Sequence, residues 1–264
     1  MVTKYCYIFL LFIFYEAMPQ NSSHELEVVL NSGLGSKSEI SSIEGVHPVQ
    51  SNHLPAFSIG LDYRYRLKKC MYLSAGFSMG MNGTNTKTTY PIKELSANYP
   101  FNQVVLKNKE YVFLLSIPIK FEYQIKKIKQ TTYGLQSGVK LNYSLMPGSY
   151  GMGHNFFTPN GDQVTAFEQS SYLNNNGLPW ISLQLGGSIR WRIKNSGPIR
   201  AGISADISFS KVVEGTYSVN IPGRLDTYGN FSNTLSSLNL VLGYGLNGRI
   251  KHPPKVSVAK KAPE

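Results

Sequence analysis

Charge is scarce in this chain. Asp, Glu, Lys and Arg make up 16% of its 264 residues, against roughly 25% in an average soluble domain. There is too little charge to coat a water-facing surface in the usual way, while an apolar fraction of 42% argues against disorder over most of the length. Cysteine is almost absent, with Cys6 and Cys70 alone. No run of apolar residues is long enough for a comfortable membrane-spanning helix. The longest, YCYIFLLFIFY from Tyr5 to Tyr15, follows Lys4 and has the length of a secretory h-region. A leader over residues 1–18 is expected, with an uncleaved anchor or a buried helix as the competing reading. Removal of the leader leaves the single thiol of Cys70, which excludes a disulfide framework.

Chemistry-bearing motifs are equally sparse. There is no GxxxxGK[ST]; GLGSKS at Gly33–Ser38 has the wrong spacing for a phosphate loop and reads better as the end of a strand. HExxH and Cys/His clusters of metal-ligand spacing are missing. No cofactor is expected. The five histidines, His24, His47, His53, His154 and His252, fall in expected loops or near the termini. An enzyme of the lipid-modifying or proteolytic kind would need a His beside a nucleophile or an acid. The one grouping available is His154, Asp162 and Ser149 within one long connection, and exposed loop polarity accounts for it better. No helix-period stripe follows the leader region.

What is present is period two. Aromatics reach 12%, with 17 Tyr and 13 Phe, and Gly is plentiful at 24. Between Phe57 and Leu67 every second residue is Phe, Ile, Leu or Tyr, with Ser58, Gly60, Asp62, Arg64 and Arg66 between them. The same alternation recurs over 71–81, 113–125, 133–145, 181–193, 199–209 and 238–246, with a weaker first member at Leu26–Leu30. Seven such segments of about 9 to 13 residues, with the shorter first one, make an all-β chain. Three connections are short, at 68–70, 126–130 and 194–198. Four are long, at 33–56, 82–112, 146–179 and 211–237, and short and long alternate strictly. That order fits an up-and-down sheet with tight turns at one end and long, structureless loops at the other.

Two architectures share this alternation. In a soluble lipocalin-like barrel the apolar face points inward; in a transmembrane barrel it meets lipid and the lumen is polar. The polar face decides. It is rich in Gly, Ser, Asn and Gln, which suit the cramped interior of an eight-stranded barrel. Its charges are of both signs: Glu27, Asp62, Glu122 and Asp206 against Arg64, Arg66, Lys120, Lys140, Arg190, Arg192 and Arg200. Enclosed together they would form an ion-paired plug. The expected fold is an eight-stranded antiparallel up-and-down transmembrane β-barrel. The direction of Ile117 and Ile119 tests it, since both must point away from a packed interior. Pro118, which removes a ladder donor, is expected at a bulge or a missing bond.

The formal charge of +11 invites a nucleic-acid partner, yet the strands put bases and aromatics on opposite faces, where a stacking platform needs them together. No nucleic-acid partner is expected; lysines in the short turns and a basic tail account for the excess.

Three stretches carry a family resemblance: LLSIPIKFEY at 114–123, TYGLQSGVKLNY at 132–143 and LNLVLGYGLN at 238–247. The chain resembles the small outer-membrane β-barrel proteins of Gram-negative bacteria, and within them the Bacteroidetes-type barrel domains that include PorT-like proteins. The likeness covers about residues 24–250, with motifs of low specificity. Such barrels often end on an aromatic residue, whereas this chain continues into KHPPKVSVAKKAPE. The resemblance implies an integral outer-membrane protein exported through its leader, with a barrel over 19–250 and a basic periplasmic tail over 251–264. It also implies outer-membrane lipids as partners, a monomeric state, and a structural or loop-presenting role without enzymatic activity. Alternatives are an accessory part of an outer-membrane secretion or transport machine and a lipid-modifying enzyme.

Overall fold

A computed structural model of the chain describes residues 24–45, 49–91, 103–145, 149–157, 160–174, 178–193, 197–222 and 225–246. The expected leader at 1–18 and basic tail at 251–264 lie outside the described residues. The strands are β1 (His24–Gly35), β2 (Glu39–Glu44), β3 (Val49–Ser51), β4 (Pro55–Lys68), β5 (Met71–Tyr90), β6 (Val104–Ile128) and β7 (Thr131–Ser144). They continue with β8 (Ser149–Phe157), β9 (Gln163–Leu173), β10 (Trp180–Arg192), β11 (Pro198–Ser208), β12 (Val213–Val219), β13 (Thr227–Asn233) and β14 (Ser237–Gly245).

Eight of them close a ring in the order β1-β4-β5-β6-β7-β10-β11-β14, with β14 pairing back to β1. Every pair is antiparallel and every ring neighbour is the next alternating strand in the chain, so the ring is an up-and-down barrel. These are the eight strands that period two marks. Ile117 and Ile119 are 45% and 48% exposed on the outside of the ring, together with Ile59, Leu61, Leu135, Leu240 and their neighbours. The apolar face therefore points out. From Phe57 to Leu67 the outward row on β4 covers about 34 Å of strand at ~3.4 Å per residue. At a tilt of ~40° that is about 26 Å of height, the size of a lipid-facing band.

At the tight-turn end the band finishes in exposed Tyr65, Tyr123, Tyr133, Trp191 and Tyr244. Pro118 sits in register with Lys140 of β7. On its other side the β5–β6 ladder passes from Ala75–Ile119 to Ser78–Ser116, without the two pairs between. The pairing is lost there and the register is kept, since a proline has no N–H to offer β5.

The long connections are not structureless, which corrects the expectation for 33–56, 82–112, 146–179 and 211–237. Strands β5 and β6 run on past the barrel to Tyr90 and Val104 as a paired hairpin. A second sheet, β2-β13-β12-β9-β8, stands beside that hairpin. The hydrophobic core lies here: Tyr90, Leu106 and Val112 of the hairpin pack with Phe167 of β9, Val213 and Tyr217 of β12 and Phe231 of β13. Thr86 Oγ1 donates to Gln169 Oε1, and Tyr90 Oη donates to the Asn220 carbonyl at 2.6 Å. The molecule is thus a barrel greasy on the outside, carrying a cap greasy on the inside.

Candidate functional site

The barrel interior is the first candidate. Parity on each strand sends Glu25 and Glu27 (β1), Asp62 and Arg64 (β4), Lys120 and Glu122 (β6), Lys140 (β7), Arg190 (β10), and Arg200 and Asp206 (β11) inward. They join in two sets. Near the tight turns, the Arg64 guanidinium reaches Glu122 Oε1 at 2.6 Å and Glu25 Oε2 at 3.2 Å, with its Cζ 3.5 Å over the Tyr72 ring. Arg190 bridges Glu25 at 2.7 Å and Glu27 at 3.2 Å, and Arg200 reaches Glu27 Oε1 at 3.1 Å and Asp62 at 3.6 Å. Lys120 donates to the other side of the network at Asp62. Toward the cap, Lys140 Nζ donates to Asp206 Oδ2 at 2.8 Å as a separate pair.

Five acids therefore meet five bases inside the described lumen, and the interior is electrically neutral. Neutrality matters because a buried charge left unpaired costs several kcal/mol. Glycine makes room for the network. A Cβ on Gly243 of β14 would lie 2.0 Å from Glu27 Oε1, and one on Gly76 of β5 would lie 2.2 Å from Asp62 Oδ1. Between Asp62, Lys120, Gln136 and Arg200 the remaining void is about 20 Å³, room for about one or two waters. Above it, Asn142 Nδ2 donates to Ser182 Oγ at 3.0 Å, and Asn82 Nδ2 donates to the Leu235 carbonyl at 2.6 Å, which ties the lumen to the cap.

Nine of the eleven lumen residues singled out in the sequence lie in these ion pairs. Arg66 and Arg192 do not. Both are exposed at the tight-turn rim, where Arg66 donates to the carbonyls of Lys68 (3.4 Å) and Lys69 (3.3 Å). They share the parity of Arg64 and Arg190 but lie two residues nearer the end of the strand, which carries them out of the lumen. Glu25 was missed because β1 begins at His24, earlier than its apolar residues suggest; its pairing opposite Arg64 follows from that register.

The second candidate is the cap. Ser149, His154 and Asp162 do not assemble there. Ser149 and His154 are five residues apart on β8, so they face opposite sides of the strand, about 17 Å apart. His154 instead shares a 2.7 Å hydrogen bond with Asn108 Oδ1 and stacks on Phe167. Ser171 Oγ donates to the Glu110 carboxylate at 2.6 Å. Burial between the sheets pushes the Glu110 carboxyl above its ordinary range, with the hydrogen bond from Ser171 opposing the shift. Among the described residues no group of three or more His, Cys, Asp or Glu is placed to hold a metal ion.

The family described as outer membrane protein beta-barrel domain matches residues 18–212. Solved structures of similar fold include OprG, an outer membrane protein of Pseudomonas aeruginosa (9% identity, 86% of this chain and 97% of that one, TM-score 0.43). Neisserial surface protein A (12%, 83% and 96%, 0.37) and the outer membrane protease OmpT of Escherichia coli (9%, 87% and 99%, 0.39) are also similar. Identities this low leave each neighbour's activity its own. No curated protein matches the sequence.

Proposed function

The chain belongs to the outer membrane protein beta-barrel domain family, and we propose that within the outer membrane it is a non-conducting, non-enzymatic barrel that serves as a pedestal for its cap. One observation carries this reading: the lumen is crossed by a neutral ion-pair network that leaves separate voids of about 20 Å³ beside Asp62 and about 40 Å³ beside Lys140 and Asp206. A solute path would have to break buried pairs at several levels, each at a cost of about 3–5 kcal/mol for one partner removed. The cap has its own packed core, so it presents a defined surface outside the cell, where loops on a rigid scaffold usually carry function. The partner that the barrel itself requires is the surrounding lipid, and it acts as a monomer. Insertion of the purified protein into planar bilayers tests the reading. Heat-modifiable gel migration with no steady conductance is expected, and stable open channels of the folded protein refute it.

A second reading has its own observation. The cap sheet ends on two unpaired edge strands, β2 and β8, which expose Ile43, Tyr150 and Phe157. Exposed edges are templates for strand addition by another chain. The likeness to Bacteroidetes-type, PorT-like barrels favours an accessory role in a secretion or transport machine, with these edges as the contact. Co-purification of envelope proteins that is lost on placing Pro in β8 supports that role; isolation of the barrel alone from native membranes rejects it.

A further inference from the structure

The neutral lumen moves the question of the chain's basic excess to its surfaces, and the described residues divide it unevenly. The cap carries Lys37, Lys87, Lys107, Lys109 and Lys211 against the larger number of acids Glu39, Glu44, Glu110, Asp162, Glu168, Glu214 and Asp226. The tight-turn rim carries Arg66, Lys68, Lys69, Lys126, Lys127, Lys129 and Arg192, all exposed, and no exposed acid among the described residues. The two acids nearest the rim, Glu25 and Glu122, are turned inward and already held by Arg64 and Arg190.

These bases form one surface. The β4–β5 and β6–β7 hairpins are neighbours, because β5 pairs with β6, and Gln124 N donates to the Cys70 carbonyl at 2.8 Å to lock the two turns together. Arg192 N donates to the Gln130 carbonyl at 3.1 Å, which extends the arc to the β10–β11 turn. Each of the first two hairpins carries a register shift at its basic end, between Arg66 and Lys68 and between Gln124 and Lys126. A bulge breaks strict alternation and re-aims side chains; from Ile125 to Gln130 every residue is exposed. Lys129 holds a φ of 51°, a conformation that favours Gly or Asn and costs a lysine roughly 1–2 kcal/mol. The turn keeps an ammonium where backbone preference would remove it.

Directly beside the arc, on the outer wall, lie exposed Leu67, Tyr123, Ile125, Ile128, Tyr133 and Trp191. Down the wall an apolar band gives way to aromatics and then to a rim where lysines alternate with Leu67, Ile125 and Ile128, an arrangement that matches acyl chain, interface and headgroup. The geometry points to this rim as a binding surface for anionic phospholipid in the periplasmic leaflet, with the lysine and arginine donors on headgroup phosphate and their stems along the apolar wall. An acidic protein surface would meet the same charges but would have no use for the greasy collar beneath them.

The test uses the full chain refolded in mixed micelles. Native mass spectrometry then measures retention of phosphatidylglycerol against phosphatidylethanolamine of the same acyl chains. The unaltered protein is expected to prefer phosphatidylglycerol, with a preference that falls as salt is raised. The variant Lys126→Gln/Lys127→Gln/Lys129→Gln is expected to lose that preference by at least about fivefold, on the basis of the attraction per basic residue at an anionic leaflet. Lys87→Gln/Lys107→Gln/Lys109→Gln, at the cap, should leave it unchanged. Lys129→Gly separates binding from folding: it relieves the backbone, so heat-modifiable migration is kept while the preference drops. Equal retention of the two lipids by the unaltered protein overturns the inference and leaves an acidic protein as the better occupant. Equal effects of the rim and cap variants overturn it as well.

Discussion

Removing the Glu27 carboxylate should be among the most damaging single changes of charge in the lumen. The residue is 1% exposed, and its two oxygens are divided between Arg190 Nη2 at 3.2 Å and Arg200 Nε at 3.1 Å. Glu27→Gln keeps the shape and removes the charge, which leaves five buried bases facing four acids. At an effective dielectric near 20 a unit pair at this separation attracts by about 5 kcal/mol. Loss of one partner from a buried pair costs about 3–5 kcal/mol, because the surviving charge stays out of water. Arg190 keeps Glu25 and Arg200 keeps the longer contact to Asp62, so the lower half of that range, about 3 kcal/mol, is expected. The companion Arg200→Gln should cost about as much. In the double variant the count returns to four against four, and each remaining charge has a partner: Arg190 with Glu25, Asp62 with Lys120. It should therefore be more stable than the sum of the singles predicts, by about 0.5–3 kcal/mol. Urea unfolding from phospholipid vesicles reads this, with the fluorescence of outward Trp191 reporting exit from the bilayer and gel migration reporting the folded fraction. Additive single and double effects, or a Glu27→Gln cost under about 1 kcal/mol, would refute the view that charge balance holds the plug together.

Three further outcomes follow from the same geometry. Gly243→Ala places a methyl group 2.0 Å from the Glu27 carboxylate and 3.2 Å from Arg200 Nε; both are held by neighbours, so the variant should lose about 1–3 kcal/mol in the same urea assay. Ile119→Arg stands at the middle of the outward row on β6 and should cost about 2–4 kcal/mol of insertion free energy, whereas Ile128→Arg at the rim should cost about 0–1; equal folding yields into vesicles would contradict the lipid-facing assignment. Glu110 has a carboxyl raised by burial, so its contribution to cap stability is full below the unfolded value and is lost as pH rises through the folded one. Amide exchange in β9, corrected for intrinsic rates, should therefore speed up from pH 5 to pH 7.5, and Glu110→Gln should flatten that dependence.

The barrel was legible because its strands obey one rule on both faces. Lipid takes only apolar side chains on one side, and a narrow lumen takes small or paired polar ones on the other. LLSIPIKFEY shows both halves, with Ile117 and Ile119 outside and Ser116, Lys120 and Glu122 inside. The cap obeys no such rule. Its inner faces mix Phe167 and Tyr217 with Gln169, Ser171, Thr84 and Thr86, and its outer faces mix polar residues with exposed Tyr150, Tyr172 and Tyr228. Strands such as TYGNFSN and the Thr-rich continuation of β5 therefore carry no period-two contrast to separate them from loop. Parity also says nothing about depth, which is why Arg66 and Arg192 read as lumen residues although they sit on the rim.

The two halves of the molecule place their apolar surface in opposite directions, and this sets what each can tolerate. In the barrel the interior is stabilised by matching charges, so its sequence is constrained by balance: a lost acid is best compensated by a lost base. In the cap the interior is stabilised by burial, so Phe167→Ala should cost about 3–5 kcal/mol with no effect on the barrel below. Beyond the strands β5 and β6 that run through both, the junction couples them through the Asn82 hydrogen bond to Leu235, the Asn233 hydrogen bond to the Ser36 carbonyl and Trp180 packed with the cap core. A cap variant that unfolds alone should consequently leave heat-modifiable migration intact. Proteolysis of Phe167→Ala in vesicles should release cap fragments while the lipid-embedded strands stay protected. Loss of barrel protection in the same digest would show that barrel and cap fold as one unit.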